Sequence, residues 1–265
     1  MMKIHAPRVA AKAQAGQFII LRVDADGERI PLTIADYDRE AGSVTIIYQI
    51  VGSTTQKLDA KEENDFIEDF VGPLGRATET EGLKKVAVVG GGVGCAIALP
   101  VAKKLHEEGC EVHSIVGFRN RDLVILEDEF KDASDKLVMM TDDGSYGEKG
   151  LVTNALKALI DSGEKYDRVI TIGPLIMMKF VCAVTKEYDI PTVVSMNPIM
   201  IDGTGMCGGC RLTVDGKVKF ACVDGPEFDG HKVDFDEAMK RSTMYRDFER
   251  HAHEETCNLL NKEVL

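Results

Sequence analysis

Val86-Ala87-Val88-Val89-Gly90-Gly91-Gly92-Val93-Gly94-Cys95-Ala96-Ile97-Ala98 decides the fold. Four apolar residues make a strand with no polar face, the glycines make a tight turn, and Cys95 opens a helix. The pattern carries that helix to about Glu108, where Gly109 supplies a C′ stop. A strand apolar on both faces belongs inside a parallel sheet covered by helices. Further strands are predicted at residues 111–116, 137–141, 168–172 and 192–196, with helices at 151–162 and 175–188. This alternation predicts a doubly wound parallel sheet. In such a strand–turn–helix unit, glycines let the backbone approach a pyrophosphate and the helix's unpaired N–H groups attract its charge. Gly90, Gly91, Gly92 and Gly94 are therefore candidate nucleotide contacts; tight strand–helix packing is the alternative use.

The strand ending near Val116 carries no terminal Asp or Glu for a ribose. Gly117-Phe118-Arg119-Asn120-Arg121 follows, in which Arg119 or Arg121 either meets a 2′-phosphate or is merely solvated. Two more loops follow strands at the carboxyl ends, where doubly wound sheets place ligands. They contain Asp143-Gly144, within residues 141–147, and Gly173-Pro174; as ordinary turns they would need no ligand.

Upstream, residues 8–75 have a different period. Stretches 17–23, 30–34 and 43–50 are rich in Val, Ile, Leu and Thr and are broken by Asp26-Gly27, a turn over 36–42, and Gly52. Short strands at this spacing predict a small antiparallel β-barrel. Gly72-Pro73-Leu74-Gly75 closes it, and the polar stretch 77–85 reads as a linker.

Seven cysteines without an export signal argue for metal or redox use rather than a disulfide framework. Cys95, Cys110, Cys182 and Cys257 are scattered and read as small buried hydrophobes, whereas Cys207, Cys210 and Cys222 fall close together. Asp215-Gly216 predicts a two-residue hairpin turn. Pairing Val214 with Lys217 sets Ala221 opposite Cys210, which returns Cys222 to the Cys207/Cys210 pair. Three converging thiolates suit a metal centre. Structural zinc usually takes a second Cys or His knuckle, which is missing, so an iron–sulfur cluster is favoured over zinc. His251 and His253 lie on a charged terminal helix expected from about Asp236 and read as solvated.

Acidic residues outnumber basic ones 44 to 32, a formal net charge of −12, with no Lys/Arg block. Nucleic acid is not an expected partner. No apolar run approaches the roughly 20 residues that span a bilayer, and residues 1–18 lack the apolar core of a secretory signal, so no membrane is expected either.

A barrel, a doubly wound domain and a cysteine cluster in this order resemble the ferredoxin-NADP reductase-like flavoproteins. The resemblance runs from Gly16-Gln17-Phe18 to Cys222 and is carried by Arg29-Ile30-Pro31-Leu32-Thr33, Gly52-Ser53-Thr54-Thr55, Gly72-Pro73-Leu74-Gly75, the 90–94 turn, Gly173-Pro174 and the cysteines. It is strongest to the small (alpha) subunit of NADH-dependent ferredoxin:NADP oxidoreductase and its sulfide dehydrogenase beta-subunit relatives. It is weaker to the electron-transfer subunit of dihydroorotate dehydrogenase.

The resemblance implies an FAD-binding barrel over 1–80, an NAD(P)-binding domain over 81–198 and a [2Fe–2S] module over 199–265. Arg29 would face the FAD pyrophosphate, Pro31, Leu32 and Thr33 would line the flavin, and Gly52, Ser53, Thr54 and Thr55 would hold phosphate. Gly72 and Gly75 join this set, while NAD(H) or NADP(H) would occupy the glycine turn. Cys207, Cys210 and Cys222 would ligate the cluster with Asp202, because the dihydroorotate-type subunit has a cysteine where Asp202 stands and the ferredoxin:NADP-type subunit has an aspartate.

The implied function is a cytoplasmic electron-transfer subunit in a heteromer. A larger subunit would carry another FAD and [4Fe–4S] clusters, and the complex would couple to ferredoxin by electron bifurcation. Hydride transfer needs no side-chain acid, base or nucleophile, so no catalytic residue is expected. The alternatives are the dihydroorotate dehydrogenase partner and, from another class, a non-enzymatic nucleotide-binding zinc redox sensor.

Overall fold

The computed structural model describes residues 1–252. Its first element group is β1 (Met2–His5), α1 (Pro7–Ala10), β2 (Phe18–Arg22), β3 (Ile30–Asp38), β4 (Ser43–Ile46), α2 (Ser53–Asp59) and β5 (Asp69–Leu74). The strands form one antiparallel sheet in the order β1-β4-β3-β2-β5, curled into a half-barrel. Side chains alternate across a strand, and β2 uses this to serve two cores. Ile19 and Leu21 pack with Ile34, Val44, Ile46 and Leu58 inside the half-barrel. Phe18 and Ile20 face the rest of the molecule.

The stretch expected as a strand over 43–50 ends at Ile46, and β5 continues through Gly72-Pro73, where a stop was expected. β5 is an edge strand, so the missing proline N–H leaves no central ladder bond unmade.

The second sheet holds β6 (Lys85–Gly91), β7 (Glu111–Phe118), β8 (Lys136–Thr141), β9 (Glu148–Lys149), β10 (Arg168–Ile172) and β11 (Thr192–Ser195). Helices α3 (Gly94–Glu107), α4 (Glu127–Asp132), α5 (Val152–Asp161) and α6 (Leu175–Glu187) connect them. These six strands pair in parallel. Val86 and Val88 join Leu99, Ala102, Leu105 and Phe130 on one face, while Ala87 and Val89 join Ala155, Leu156 and Val181 on the other. Val86, Ala87, Val88 and Val89 are all fully buried, which is why the run has no polar position.

The last segment contains β12 (Arg211–Val214), β13 (Lys217–Phe220), α7 (Ala221–Asp224), β14 (Glu227–Asp229) and α8 (Phe235–Arg241). β12 and β13 pair with Val214 opposite Lys217 and Arg211 opposite Phe220, the register expected from Asp215-Gly216. Both turn residues have positive φ, 52° and 68°, as a two-residue hairpin demands. β14 then returns to the large sheet and pairs antiparallel with β11. The resulting order is β14-β11-β10-β6-β7-β8-β9, so the connections diverge on either side of β6.

A fourth core fastens these parts together. Phe18 and Ile20 of the half-barrel, Met178, Cys182 and Val194 of the parallel layer, and Cys210, Leu212, Cys222, Phe228 and Phe235 of the last segment share it. Each large apolar side chain fully buried there contributes about 1.5–3 kcal/mol. The cysteine loop is therefore seated on both sheets. Among the described residues no helix is long and apolar enough to cross a membrane.

Candidate functional site

Parallel pairing puts the carboxyl ends of β6, β7, β8 and β10 along one edge, and the order diverges at β6, which is where such sheets form a ligand crevice. Gly91 and Gly94 meet Pro174 and Gly173 there, while Gly90 packs on Cys95 and Ala98 of α3. A Cβ on Gly94 would stand 2.6 Å from the Ile172 carbonyl oxygen and 2.7 Å from the Gly173 Cα. A Cβ on Gly91 would strike the Met177 sulfur at 2.4 Å and the Pro174 ring at 3.2 Å. Gly92, at φ 56°, faces open space. No side chain caps the start of α3 and no acidic residue lies in its first turn. The Gly92, Cys95 and Ala96 N–H groups donate to the Gly117, Gly92 and Val93 carbonyls, so the Gly94 N–H and the helix dipole are what suit an anionic ligand.

The neighbouring loops are joined to each other. Asp143 N–H donates to the Arg119 carbonyl at 3.3 Å, and Arg121 N–H donates to Ser145 Oγ at 2.8 Å. Asp143 Oδ1 accepts from the Ser145 N–H and hydroxyl, and Gly144 turns at φ 78°. Arg119 is exposed, whereas the Arg121 guanidinium sits 5.7 Å from the Tyr146 ring centroid.

In the half-barrel, Pro31, Leu32 and Thr33 pair with Ile20, Ile19 and Phe18, yet remain half-buried although their partners are fully buried. Leu32 turns to the half-barrel core with Ile19, so Pro31 and Thr33 share the opposite, outward face of a central strand with Ile20 and Phe18. Gly52 is the N-cap of α2, and Thr55 Oγ1 accepts the Val51 and Gly52 N–H groups at 3.0 Å and donates to the Gly52 carbonyl. Thr54 donates to Glu28 at 3.2 Å, and Ser53 leads the helix. The Thr55 hydroxyl thus braces the turn itself, and the Thr54 hydroxyl ties it to Glu28. Gly72 lies against Ile19, where a Cβ would come to 2.6 Å, and Gly75 lies between Phe18 and Pro226.

Arg29 reaches beyond its own sheet: Nη1 pairs with Asp69 at 3.0 Å, and Nε donates to the Ile201 carbonyl at 2.9 Å. Ile201 directly precedes Asp202.

The three cysteines do converge. Cys210 and Cys222 are 2% and 3% exposed with their sulfurs 3.3 Å apart, whereas Cys207 opens to solvent. Backbone N–H groups turn toward sulfur: Gly209 to Cys207 at 3.4 Å and Cys222 to Cys210 at 3.5 Å. Gly203, Gly205 and Gly208 all have positive φ, the freedom this winding needs. Asp202 accepts from Thr204 N–H and Cys207 N–H, each at 2.5 Å, and also contacts the Cys207 thiol. The Thr204 N–H and then the Cys207 N–H hold its carboxyl down at about 2, so it is an ionised oxygen donor at neutral pH.

The donor set divides into two pairs, Cys210 with Cys222 and Asp202 with Cys207. No three of these four offer ligand atoms all within 4.8 Å of one another. A single zinc bound at about 2.3 Å by thiolates draws its donors together more closely than that. An iron–sulfur cluster, whose ligands are shared among more than one iron, fits the division better.

The scattered cysteines are elsewhere. Cys95, Cys110 and Cys182 are buried, and burial pushes their thiols up to about 12, 11 and 12. His251 is exposed, while His253 and Cys257 lie outside the described residues. Glu111, His113 and Glu164 form a tight cluster at the amino ends of the strands. Lys85 Nζ binds both carboxylates there, at 2.7 and 2.5 Å, and supplies the cation.

This half-barrel, crevice and cysteine site define a ferredoxin-reductase-like electron-transfer protein with an added iron–sulfur module. Residues 197–234 match the family described as the iron–sulfur cluster binding domain of dihydroorotate dehydrogenase B. A Thermotoga maritima protein named as a homolog of the dihydroorotate dehydrogenase B (NAD(+)) electron transfer subunit is 49% identical, over 95% of this chain and 88% of that one. The electron transfer subunit from Streptococcus mutans is 33% identical, over 86% and 90%. A chain in the solved structure of an NADH-dependent reduced ferredoxin-NADP oxidoreductase superposes with a TM-score of 0.90 at 48% identity, covering 96% of this chain and 91% of that one. The chain belongs to the family of dihydroorotate dehydrogenase B-type electron-transfer subunits, which serve oxidoreductases of the flavin and iron–sulfur type.

Proposed function

We propose that this chain is the small subunit of a complex of the NADH-dependent ferredoxin:NADP oxidoreductase type, and that it carries FAD, a [2Fe–2S] cluster and a site for NAD(H) or NADP(H). The observation that carries the reading is Asp202, an ionised carboxylate bound to the Cys207 N–H at 2.5 Å beside three converged cysteines. The 48% identical chain of the ferredoxin-NADP oxidoreductase, matched over 96% of this one, supports the same reading.

When bound, the flavin accepts a two-electron hydride from the nicotinamide and releases electrons singly, which an iron–sulfur cluster by itself does not do. The chain's own residues do the rest. The 90–94 turn and the first turn of α3 hold the dinucleotide's phosphates through backbone N–H groups, with Gly173 and Pro174 as the facing wall. Arg119, Asp143 and Gly144 border the crevice at the next strands and meet the far end of the dinucleotide.

Pro31 and Thr33 offer a flavin ring the outward face of β3, with the Leu32 backbone between them, and Gly72 and Gly75 let the chain at β5 pack close against Ile19 and Phe18 beside it. Arg29 and the turn of Gly52, Ser53, Thr54 and Thr55 meet its pyrophosphate; a guanidinium has five N–H donors, of which Arg29 spends two on Asp69 and Ile201. Asp202, Cys207, Cys210 and Cys222 supply the cluster's ligands. Cys207 opens to solvent, which provides an exit toward a larger partner subunit with its own flavin and [4Fe–4S] clusters.

The names of the curated relatives favour a second reading, a dihydroorotate dehydrogenase partner. Co-purification from the native source separates the two. The first reading expects a large flavin and iron–sulfur subunit and NADH-dependent coupling of ferredoxin with NADP. Recovery with a dihydroorotate-oxidising subunit would overturn it.

A further inference from the structure

Three arginines from distant parts of the chain end on the same loop system. Arg29, just before β3, donates Nε to the Ile201 carbonyl at 2.9 Å. Arg76, in the connection after β5, donates Nε to the Val223 carbonyl at 3.1 Å. Arg241, the last residue of α8, donates Nη2 to the Gly209 carbonyl at 3.1 Å. Each of these carbonyls belongs to the residue next to a proposed ligand: Ile201 precedes Asp202, Gly209 precedes Cys210, and Val223 follows Cys222. The half-barrel, its outgoing connection and the closing helix thus each send one guanidinium to one arm of the ligand set.

We propose that Arg29, Arg76 and Arg241 act together as positioning residues for the cysteine site, each fixing the peptide beside one ligand and holding a positive charge next to the metal. This rests on the reading that Asp202, Cys207, Cys210 and Cys222 bind a [2Fe–2S] cluster.

The glycine-rich loop over 203–209 has a flexible backbone, and a charge-assisted bond to a carbonyl at each arm holds its winding. Arginine stays charged at every working pH, so the charges are permanent. Reduction makes a cluster more negative, and a nearby cation favours the more negative state. Cluster potentials respond to such local charge. In a chain of net charge −12, three cations gathered at one site oppose the background that would otherwise hold the potential down. Arg76 is exposed and the others are half-buried, so salt screens Arg76 most.

The test is an EPR-monitored redox titration of the whole chain loaded with flavin and iron, for wild type, Arg76→Gln, Arg241→Gln and the two Lys variants. The Gln variants should reduce the equilibrium constant for cluster reduction about tenfold, a midpoint about 59 mV more negative for a one-electron couple. Lys variants should shift by less than half of that, and the Arg76→Gln shift should shrink at high salt. If a Gln variant instead loses iron while keeping its flavin, and the matching Lys variant retains both, the clamp is likewise supported. Gln variants with full iron and the wild-type midpoint at low salt would overturn the proposal and leave the cluster reading intact. A wild-type chain that forms no [2Fe–2S] signal would overturn both.

Discussion

Replacing Gly94 with Ala tests whether the closeness of the two glycine turns serves a ligand. The new Cβ would lie 2.6 Å from the Ile172 carbonyl oxygen and 2.7 Å from the Gly173 Cα, both backbone atoms that no rotamer change can move. Reaching an ordinary 3.4 Å contact means a movement of about 0.8 Å between the start of α3 and the end of β10. Overpacking of this kind costs about 1–3 kcal/mol, and alanine's better helix propensity recovers at most about 1 kcal/mol. A net loss of about 1–2 kcal/mol lowers Tm by about 2–8 °C for a chain of this size. Because the movement opens the crevice itself, NADH and NADPH should bind about 5- to 30-fold more weakly.

Gly109→Ala is the control. Gly109 has φ 82° with open space around it at the far end of α3, so alanine there costs about 1 kcal/mol of backbone strain. Its nucleotide affinity should stay at the wild-type value. Thermal melts and calorimetric titration of both nucleotides read the two effects separately. A Gly94→Ala protein that melts lower but binds both nucleotides like wild type would show that the turn serves packing alone.

Asp202→Ala should lose the cluster or render it labile, while Asp202→Cys should keep a [2Fe–2S] centre with a changed midpoint and altered EPR g-values; wild-type spectra from both would assign Asp202 to its turn. Arg29→Ala should weaken FAD binding about 10- to 100-fold, from loss of a charged contact of about 1.5–3 kcal/mol, and unchanged affinity by flavin titration would remove it from the site. His113 is 4% exposed, and its burial pushes its pKa down, so the unfolded chain takes up a proton near pH 6.5 that the folded chain resists. Stability from this group is complete above about pH 6.5 and falls below it, by at most about 1.4 kcal/mol per pH unit. His113→Gln should flatten that loss in urea melts between pH 7.5 and 5.5; an unchanged slope would refute the assignment.

The parallel layer was the most legible part of the chain, because a strand buried on both faces has to be apolar at every position. β10 begins at Arg168 and ends at Ile172, the limits its apolar run predicts, and the Asp215-Gly216 turn predicts the hairpin register that brings Cys222 back. Elements that lean on a neighbour left little trace. β14 has three residues, and it is a strand because β11 offers it an edge. β1 is a four-residue edge strand with alternating burial, too short for its period to stand out.

At the candidate site, glycines and cysteines announce themselves by spacing. Arg76 and Arg241 do not, because each acts on a carbonyl far away in the chain, and an isolated arginine carries no local pattern. Thr54 and Thr55 show the opposite limit: their composition fits a phosphate cradle, while their hydroxyls bond to Glu28 and to the turn's own backbone.

The most direct test is the visible and EPR spectrum of the chain purified without oxygen, before and after NADH or NADPH, with iron, sulfide, zinc and flavin measured on the same sample. The expected result is one FAD per chain, iron and sulfide in equal amounts, bleaching of the flavin on addition of nucleotide, and an EPR signal from a reduced [2Fe–2S] cluster. A colourless protein containing zinc, with no flavin and no signal after reduction, would contradict it.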